Sequence, residues 1–225
     1  MLNKLFDRLS VLIANNSLFV ILSLLAIIIT TLHLDIPIFL AINELYIFVP
    51  DNFLSIVNFL SNAKHIFKFH QIPCGIFFIT TLLLAALFRK NKFKYITLTI
   101  ILFYIVFMVL KIVTHEPRPF IVLAPNSFHL IDYFLIADNN SYASFPSAHT
   151  GHVALSIFLL NRLFFTNYRL IRYWLYIVIA VVALVRIISG WHWPVDVVSG
   201  ILIAYILANI YSLLVKSNFN LSRPS

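Results

Sequence analysis

Six apolar stretches long enough to span a bilayer limit what this chain can fold into. They lie near Ser17–Leu34, Ile72–Phe88, Tyr95–Thr114, Thr150–Phe165, Tyr173–Ser189 and Pro194–Val215. A helix needs about 20 apolar residues to cross the hydrocarbon core of a bilayer. Only 11% of the residues are charged and mean hydropathy is +0.96, whereas a soluble domain carries about 25% charged residues. Lipid is therefore the expected solvent. The spacing predicts an all-α polytopic membrane bundle of six transmembrane helices, forming one integral-membrane domain over residues 1–225. The first stretch is long and no small-x-small cleavage site follows it near Leu34, so it reads as a retained anchor.

The basic residues assign the sides. Lys4 and Arg8 precede the first stretch, and Arg89, Lys90, Lys92 and Lys94 follow the second. Arg162, Arg169 and Arg172 follow the fourth, and Lys216 and Arg223 close the chain. These eleven of the sixteen basic residues fall on one side if the spans alternate, and an excess of Lys and Arg marks the cytoplasmic side. Both termini are therefore expected inside. Seven of the eight acids lie outside or at that edge. Between the first two spans, Phe39, Ile42, Leu45, Tyr46 and Val49 recur at helical spacing, as do Phe53, Ile56, Val57 and Leu60. They predict interfacial helices along the outer leaflet. Asp51 is a candidate cap for the second of these helices. Lys64, His65 and Lys68 read as headgroup contacts or as a solvated rim.

The same alternation brings three polar segments to one membrane face. They read Lys111-x6-Arg118-Pro119, Pro146-Ser147-Ala148-His149 and Arg186-x5-His192-x3-Asp196. Arg and Lys grip phosphate oxygens through charge-assisted hydrogen bonds. Ser147 and His149 open a predicted helix, where free backbone N–H groups and the helix dipole favour an anion. His192 and Asp196 are four apart and share a helix face. A carboxylate there accepts the proton of one ring nitrogen and leaves the other unprotonated and nucleophilic. Gly190 allows a bend that brings Arg186 to the same pocket.

Together these segments resemble the type-2 phosphatidic acid phosphatase superfamily, whose pattern is Lys-x6-Arg-Pro, then Pro-Ser-Gly-His, then Ser-Arg-x5-His-x3-Asp. The resemblance covers a motif core from Lys111 to Asp196. It implies a phosphohistidine on His192, orientation of that ring by Asp196, and His149 as general acid. It implies that Lys111, Arg118, Ser147 and Arg186 bind the phosphoryl oxygens, and that no metal or other cofactor is required. Ala148 replaces the family glycine. Val185 stands where the family often has serine, which removes one hydroxyl contact to phosphate. Glu116–Phe120, Phe145–Thr150 and Gly190–Pro194 further resemble bacterial phosphatidylglycerophosphate phosphatases that also cleave undecaprenyl pyrophosphate. The six-span layout is similar as well to lipid A phosphatases and to the enzymes that move phosphate from undecaprenyl pyrophosphate onto lipid A. The expected partner is a membrane lipid with a phosphate or pyrophosphate headgroup. The resemblance and the many Ile, Asn and Lys fit a bacterial inner membrane, with the site facing outward.

The remaining polar residues have plainer readings. Glu116 is either a partner that steadies Arg118 or a surface group worth little. His115 and His129 read as rim residues, Asp132 and Asp138 as loop solvation, and Trp191 and Trp193 as interfacial anchors. His149 and His152 are spaced like a metal pair, but no third ligand follows at sensible spacing. The single cysteine, Cys74, excludes an intramolecular disulfide and a cysteine-based zinc site. The loop Ile121–Phe145 is short for an elaborate cap. A net charge of +8 raises nucleic acid as a partner, but the basic residues are spread over separate loops and form no stripe. A lipid transporter would place polar groups near the bilayer midplane. Here the ionisable residues gather at the ends of the spans, which favours an enzyme.

Overall fold

A computed structural model describes residues 23–24, 28, 34–53, 76–124, 127–130 and 142–221. Seven α-helices lie among them: α1 (Asp35–Asn43), α2 (Ile76–Phe88), α3 (Lys90–Thr114), α4 (Pro119–Val122), α5 (Ala148–Leu163), α6 (Arg169–Ile188) and α7 (Pro194–Leu221). A 3-10 turn over Glu44–Phe48 follows α1. No strand occurs among the described residues, so the fold class is all-α as expected. Five of the expected spans correspond to α2, α3, α5, α6 and α7. Most of the first span lies outside the described residues, as do Ile56, Val57, Leu60, Lys64, His65, Lys68, Cys74, Asp132 and Asp138.

Among the described residues, three helices are long and apolar enough to cross a membrane: α3 with its extension to Val122, α6, and α7 as far as Lys216. Their outer faces show what surrounds them. Leu98, Ile101, Ile105, Met108 and Ile112 recur every three or four residues along α3, and all are exposed. Leu170, Tyr173, Trp174 and Ile177 do the same on α6. A soluble protein rarely exposes contiguous apolar faces of this size, whereas in a bilayer they face lipid tails. The protein is a membrane protein.

The helix α5 differs. Its 16 residues rise about 24 Å, less than the ~30 Å thickness of the hydrocarbon core. Thirteen of the sixteen are buried. Its middle, residues 153–160, is apolar apart from Ser156, which suits a central position, and α7, α6 and α2 pack around it, so it need not match the bilayer itself. Lipid supplies no hydrophobic drive between helices, and close packing of small residues holds such contacts instead. Gly200, Ala204 and Ala208 recur at four-residue spacing on α7, and both alanines are fully buried. A Cβ on Gly200 would stand 2.7 Å from the Ser147 carbonyl oxygen, so only glycine lets α7 lie this close to the start of α5.

The helices alternate in direction and sort the polar groups to two ends. At one end Arg89 Nε donates to Leu163 O at 3.4 Å, and Arg162 Nη2 donates to Asn209 Oδ1. These contacts join the start of α3, the end of α5 and a point well along α7. The end of α3, the start of α5, the end of α6 and the start of α7 meet at the other end.

The segment before α2 departs from expectation. Phe39 is fully buried and packs with Ile187, Trp193, Val195 and Val197. Ile42, Tyr46 and Val49 pack on Val185 and Ile188. The apolar face of α1 thus rests on α6 and α7 rather than along lipid, while Ile47 and Phe48 remain exposed. Asp51 accepts the Tyr46 hydroxyl at 2.7 Å; most of the helix it is expected to cap lies outside the described residues.

Candidate active site

The three motifs meet at the end opposite Arg89 and Arg162. Backbone contacts make the junction. Ser147 N–H donates to Asp196 O at 2.9 Å, tying the cap of α5 to the first turn of α7. Ser147 is the residue before α5 and has an extended backbone. Pro146, joined to Phe145 by a cis peptide bond, lies outside the helix, one residue before the cap. Ser147 Oγ lies 3.1 Å from Thr150 Oγ1, a partner that the motif spacing does not reveal.

His192 and Asp196 form the centre. His192 Nδ1 lies 3.2 Å from Asp196 Oδ2. The same oxygen accepts the Trp193 N–H at 2.9 Å and the Ser144 hydroxyl. A carboxylate held by other donors fixes which imidazole nitrogen carries the proton: Nδ1–H points to Asp196, and Nε2 keeps its lone pair. Nε2 lies 3.4 Å from Arg118 Nη1. Burial first, then the charges of Arg118, Arg186 and Lys111 and the His149 ring, hold the His192 imidazole well below the usual histidine range. His192 is therefore neutral at physiological pH, as a nucleophile must be. The motif spacing does not single out Ser144. Its only local signal is a hydroxyl two residues before Pro146.

The cations are oriented by backbone carbonyls and by an aromatic ring. Lys111 Nζ donates to Ala143 O, and Arg118 Nη1 donates to Trp191 O at 2.9 Å. The guanidiniums of Arg118 and Arg186 lie 5.4 Å and 5.8 Å from the centroid of the Trp191 ring. One indole thus sets the position of both forks. Gly190, at φ +79°, makes the turn that carries the chain from Arg186 to Trp191. Trp191 is half-buried, and Trp193 is buried with Nε1 donating to Pro117 O at 2.8 Å. Trp193 is therefore a core residue, not an interfacial anchor.

His149 stands in the first turn of α5 with Nε2 buried and without a hydrogen-bond partner among the described residues. Arg186, Arg118 and Lys111 are all within electrostatic reach of it. All seven residues of the motifs thus come together at one end of the bundle. Three others fall elsewhere. His152, one turn along, sits among Phe78, Phe103 and Tyr104 and faces the core. Val185 packs toward α1 with Ile42 and Tyr46. Glu116 is exposed and takes part through its carbonyl, which accepts Ser144 N–H at 3.1 Å. His115 and His129 are exposed, as expected of rim residues, and stack on Tyr142 and Tyr46. No group of three or more His, Cys, Asp or Glu side chains spaced for a metal ion occurs among the described residues.

The sequence pattern of the PAP2 superfamily matches residues 92–220, more than half of the chain. The chain belongs to the PAP2 superfamily. As a PAP2 protein built from apolar helices it is a membrane phosphatase. No curated protein matches it. Among solved structures, the PAP2 chain is similar to the crystal structure of Aquifex aeolicus LpxE, with a TM-score of 0.56 and 24% identity over 78% of this chain and 93% of that one. At that identity the likeness speaks for the fold.

Proposed function

We propose that this PAP2 protein hydrolyses the phosphate or pyrophosphate headgroup of a membrane lipid at the outer face of a bacterial inner membrane, through a phosphohistidine on His192. The observation that carries the reading is the His192 ring, with Nδ1 3.2 Å from Asp196 and Nε2 3.4 Å from Arg118. The ring lies within the reach of three cations, Lys111, Arg118 and Arg186, which supports Nε2 as the atom that attacks a phosphoryl group held by them.

In this reading the phosphoryl oxygens lie among Lys111, Arg118, Arg186 and the Ser147 hydroxyl. Nε2 attacks phosphorus and the P–O bond to the lipid breaks. His149 gives its proton to the leaving oxygen, and Asp196 stabilises the charge that forms on the His192 ring. Water then attacks the phosphohistidine, His149 takes the water's proton, and the N–P bond breaks to release inorganic phosphate. The cations stabilise the extra charge of both transition states, a task suited to preorganised donors in a buried site.

Undecaprenyl pyrophosphate and phosphatidylglycerophosphate are the proposed substrates, supported by the resemblance of Glu116–Phe120 and Phe145–Thr150. The decisive assay measures phosphate release by purified protein in detergent with EDTA, using these two lipids, phosphatidic acid and lipid A. Release that disappears in His192→Ala, with acid-labile phosphate on the wild-type protein, supports the mechanism and names the lipid. Release retained in His192→Ala would refute it. Transfer of label to lipid A in place of release would identify a phosphotransferase. For orientation, Ser127→Cys should label from outside and Lys92→Cys from inside, each in a Cys74→Ala background. The reverse pattern would place the site on the cytoplasmic face.

A further inference from the structure

The helix α1 precedes residues 92–220 and carries none of the motifs, yet one stripe of it reaches both sides of the site. Asp35, Phe39 and Asn43 are each four residues apart and share one helix face. Asp35 Oδ1 accepts the Val195 N–H at 3.1 Å, one residue before Asp196. That N–H belongs to the first turn of α7, where backbone donors lack partners within the helix and a carboxylate also meets the positive end of the dipole. Phe39 stands edge-on to Trp193, with centroids 5.2 Å apart, and to Phe128 at 5.8 Å.

Asn43 closes the other side with its whole amide. Its Nδ2 donates to Ile188 O at 2.7 Å and to His129 O at 2.9 Å, with Ile187 O at 3.5 Å. Its Oδ1 accepts the His129 N–H at 2.7 Å. The two isoleucine carbonyls end α6 directly after Arg186. The His129 backbone in turn lies on the turn at Gly190, where a Cβ would stand 2.6 Å from His129 O. One buried side chain thus ties together α1, the end of α6 and the loop between the first two motifs.

We propose that α1 is a brace with two separable ends: Asp35 positions the start of α7, with His192 and Asp196, and Asn43 positions the end of α6 that holds Arg186. Neither side chain touches the reacting atoms; both are positioning residues. The proposal rests on the roles given above to His192, Asp196 and Arg186. If those roles hold, loosening one end impairs chemistry and loosening the other impairs phosphate binding. Simple loss of packing would impair both together or neither.

The test uses the full chain in detergent and the best lipid of the panel, with inorganic phosphate as competing ligand. Misplacement of a site by a fraction of an ångström to an ångström costs up to about a hundred-fold. On that scale Asp35→Ala lowers kcat about ten-fold and leaves the phosphate inhibition constant within about two-fold. Asp35→Asn, which keeps the acceptor, restores kcat to within about three-fold of wild type. Asn43→Ala raises KM and the phosphate inhibition constant about ten-fold, with a smaller change in kcat. If Asn43→Ala does not fold, Asn43→Ser, which keeps one donor and one acceptor, carries the same measurement. Wild-type kcat in Asp35→Ala, wild-type phosphate inhibition in the Asn43 variant, or equal losses of both parameters in both variants would each overturn the brace. Arg186→Ala and Asp196→Asn are the references. If Arg186→Ala leaves phosphate inhibition unchanged, or Asp196→Asn leaves kcat unchanged, the roles assigned to the site have failed and not the brace.

Discussion

The two ends of the bundle use the same kind of residue in opposite ways. At the α3 start, each of two arginines is matched to an acceptor and a ring of its own. Arg162 donates to Phe158 O at 3.1 Å and to Asn209 and lies 6.0 Å from the Tyr205 ring. Arg89 reaches Leu163 O and lies 5.4 Å from the Phe164 ring. At the far end Lys111, Arg118 and Arg186 gather around the His192 ring, and the carboxylate beside that ring, Asp196, has its Oδ2 already held by three donors. Burying like charges together is costly unless an opposite charge joins them. The difference separates a structural use of cations from a site built to receive an anion.

The largest effects should therefore come from the anion-receiving end. His192→Ala should lower kcat by about 10⁴-fold or more, since removing a nucleophile leaves only binding and electrostatic stabilisation. Arg118→Ala and Arg186→Ala should each lower kcat/KM by about 10²–10³-fold, the range for a lost donor to developing charge. Phosphate release, compared with the melting temperature of each variant, checks both. The comparison between the ends breaks if Arg162→Ala loses as much activity as Arg118→Ala.

Trp191 sharpens the contrast. It is flanked by two guanidiniums, each contact worth about 0.5–2 kcal/mol, so Trp191→Leu should weaken phosphate competition about ten-fold. The melting temperature should move little, because the ring is only half-buried. At the other end Arg162→Ala should do the reverse. Loss of hydrogen bonds to a charged group costs about 1.5–3 kcal/mol, which lowers the melting temperature by several degrees while kcat stays within about two-fold. Equal changes in activity for the two variants would remove the distinction.

The anion-receiving end is legible in the sequence because charge is conspicuous against apolar surroundings. Six stretches that alternate in direction leave few ways to arrange Lys111, Ser147, His149, Arg186 and Asp196, and the motif order does the rest. The same reasoning fails for α1 because its information is not local. Phe39, Ile42 and Tyr46 have the spacing of a lipid-facing stripe, and the spacing is identical whether lipid or α6 covers it. Asn43 and Asp35 meet partners 86 to 160 residues away, which no window of sequence displays. Trp193 shows the same limit: its depth suggests an interfacial anchor, whereas Phe39 and Pro117 O enclose it. Ser144 and Thr150 are hidden for another reason. A hydroxyl gains a role only when a second helix end brings its partner within reach.

The smallest effect tests whether α1 belongs with the site or with the scaffold. Burial pushes the Asp35 carboxyl up to about 6, against a lowering by the Val195 N–H, and Glu116 adds a further upward push. Between the ordinary carboxyl range near 4 and about 6, the folded protein therefore holds a proton that the unfolded chain has released. Stability falls as pH rises through that window and is level above it with respect to this group. Asp35 is partly exposed, so screening reduces the effect to a shift of a few degrees at most. Asp35→Asn cannot titrate, and its melting temperature should gain on wild type between pH 4 and pH 6 and keep a constant offset above. A constant offset across the whole range would show that the carboxyl is solvated and that the start of α7 does not depend on its burial. A gap that opens in the expected window, together with near-wild-type kcat in the same variant, would show that the Val195 contact needs the acceptor and not the charge. Asp35 would then hold the active end of the bundle at a small cost in stability, unlike the matched arginines of the opposite end.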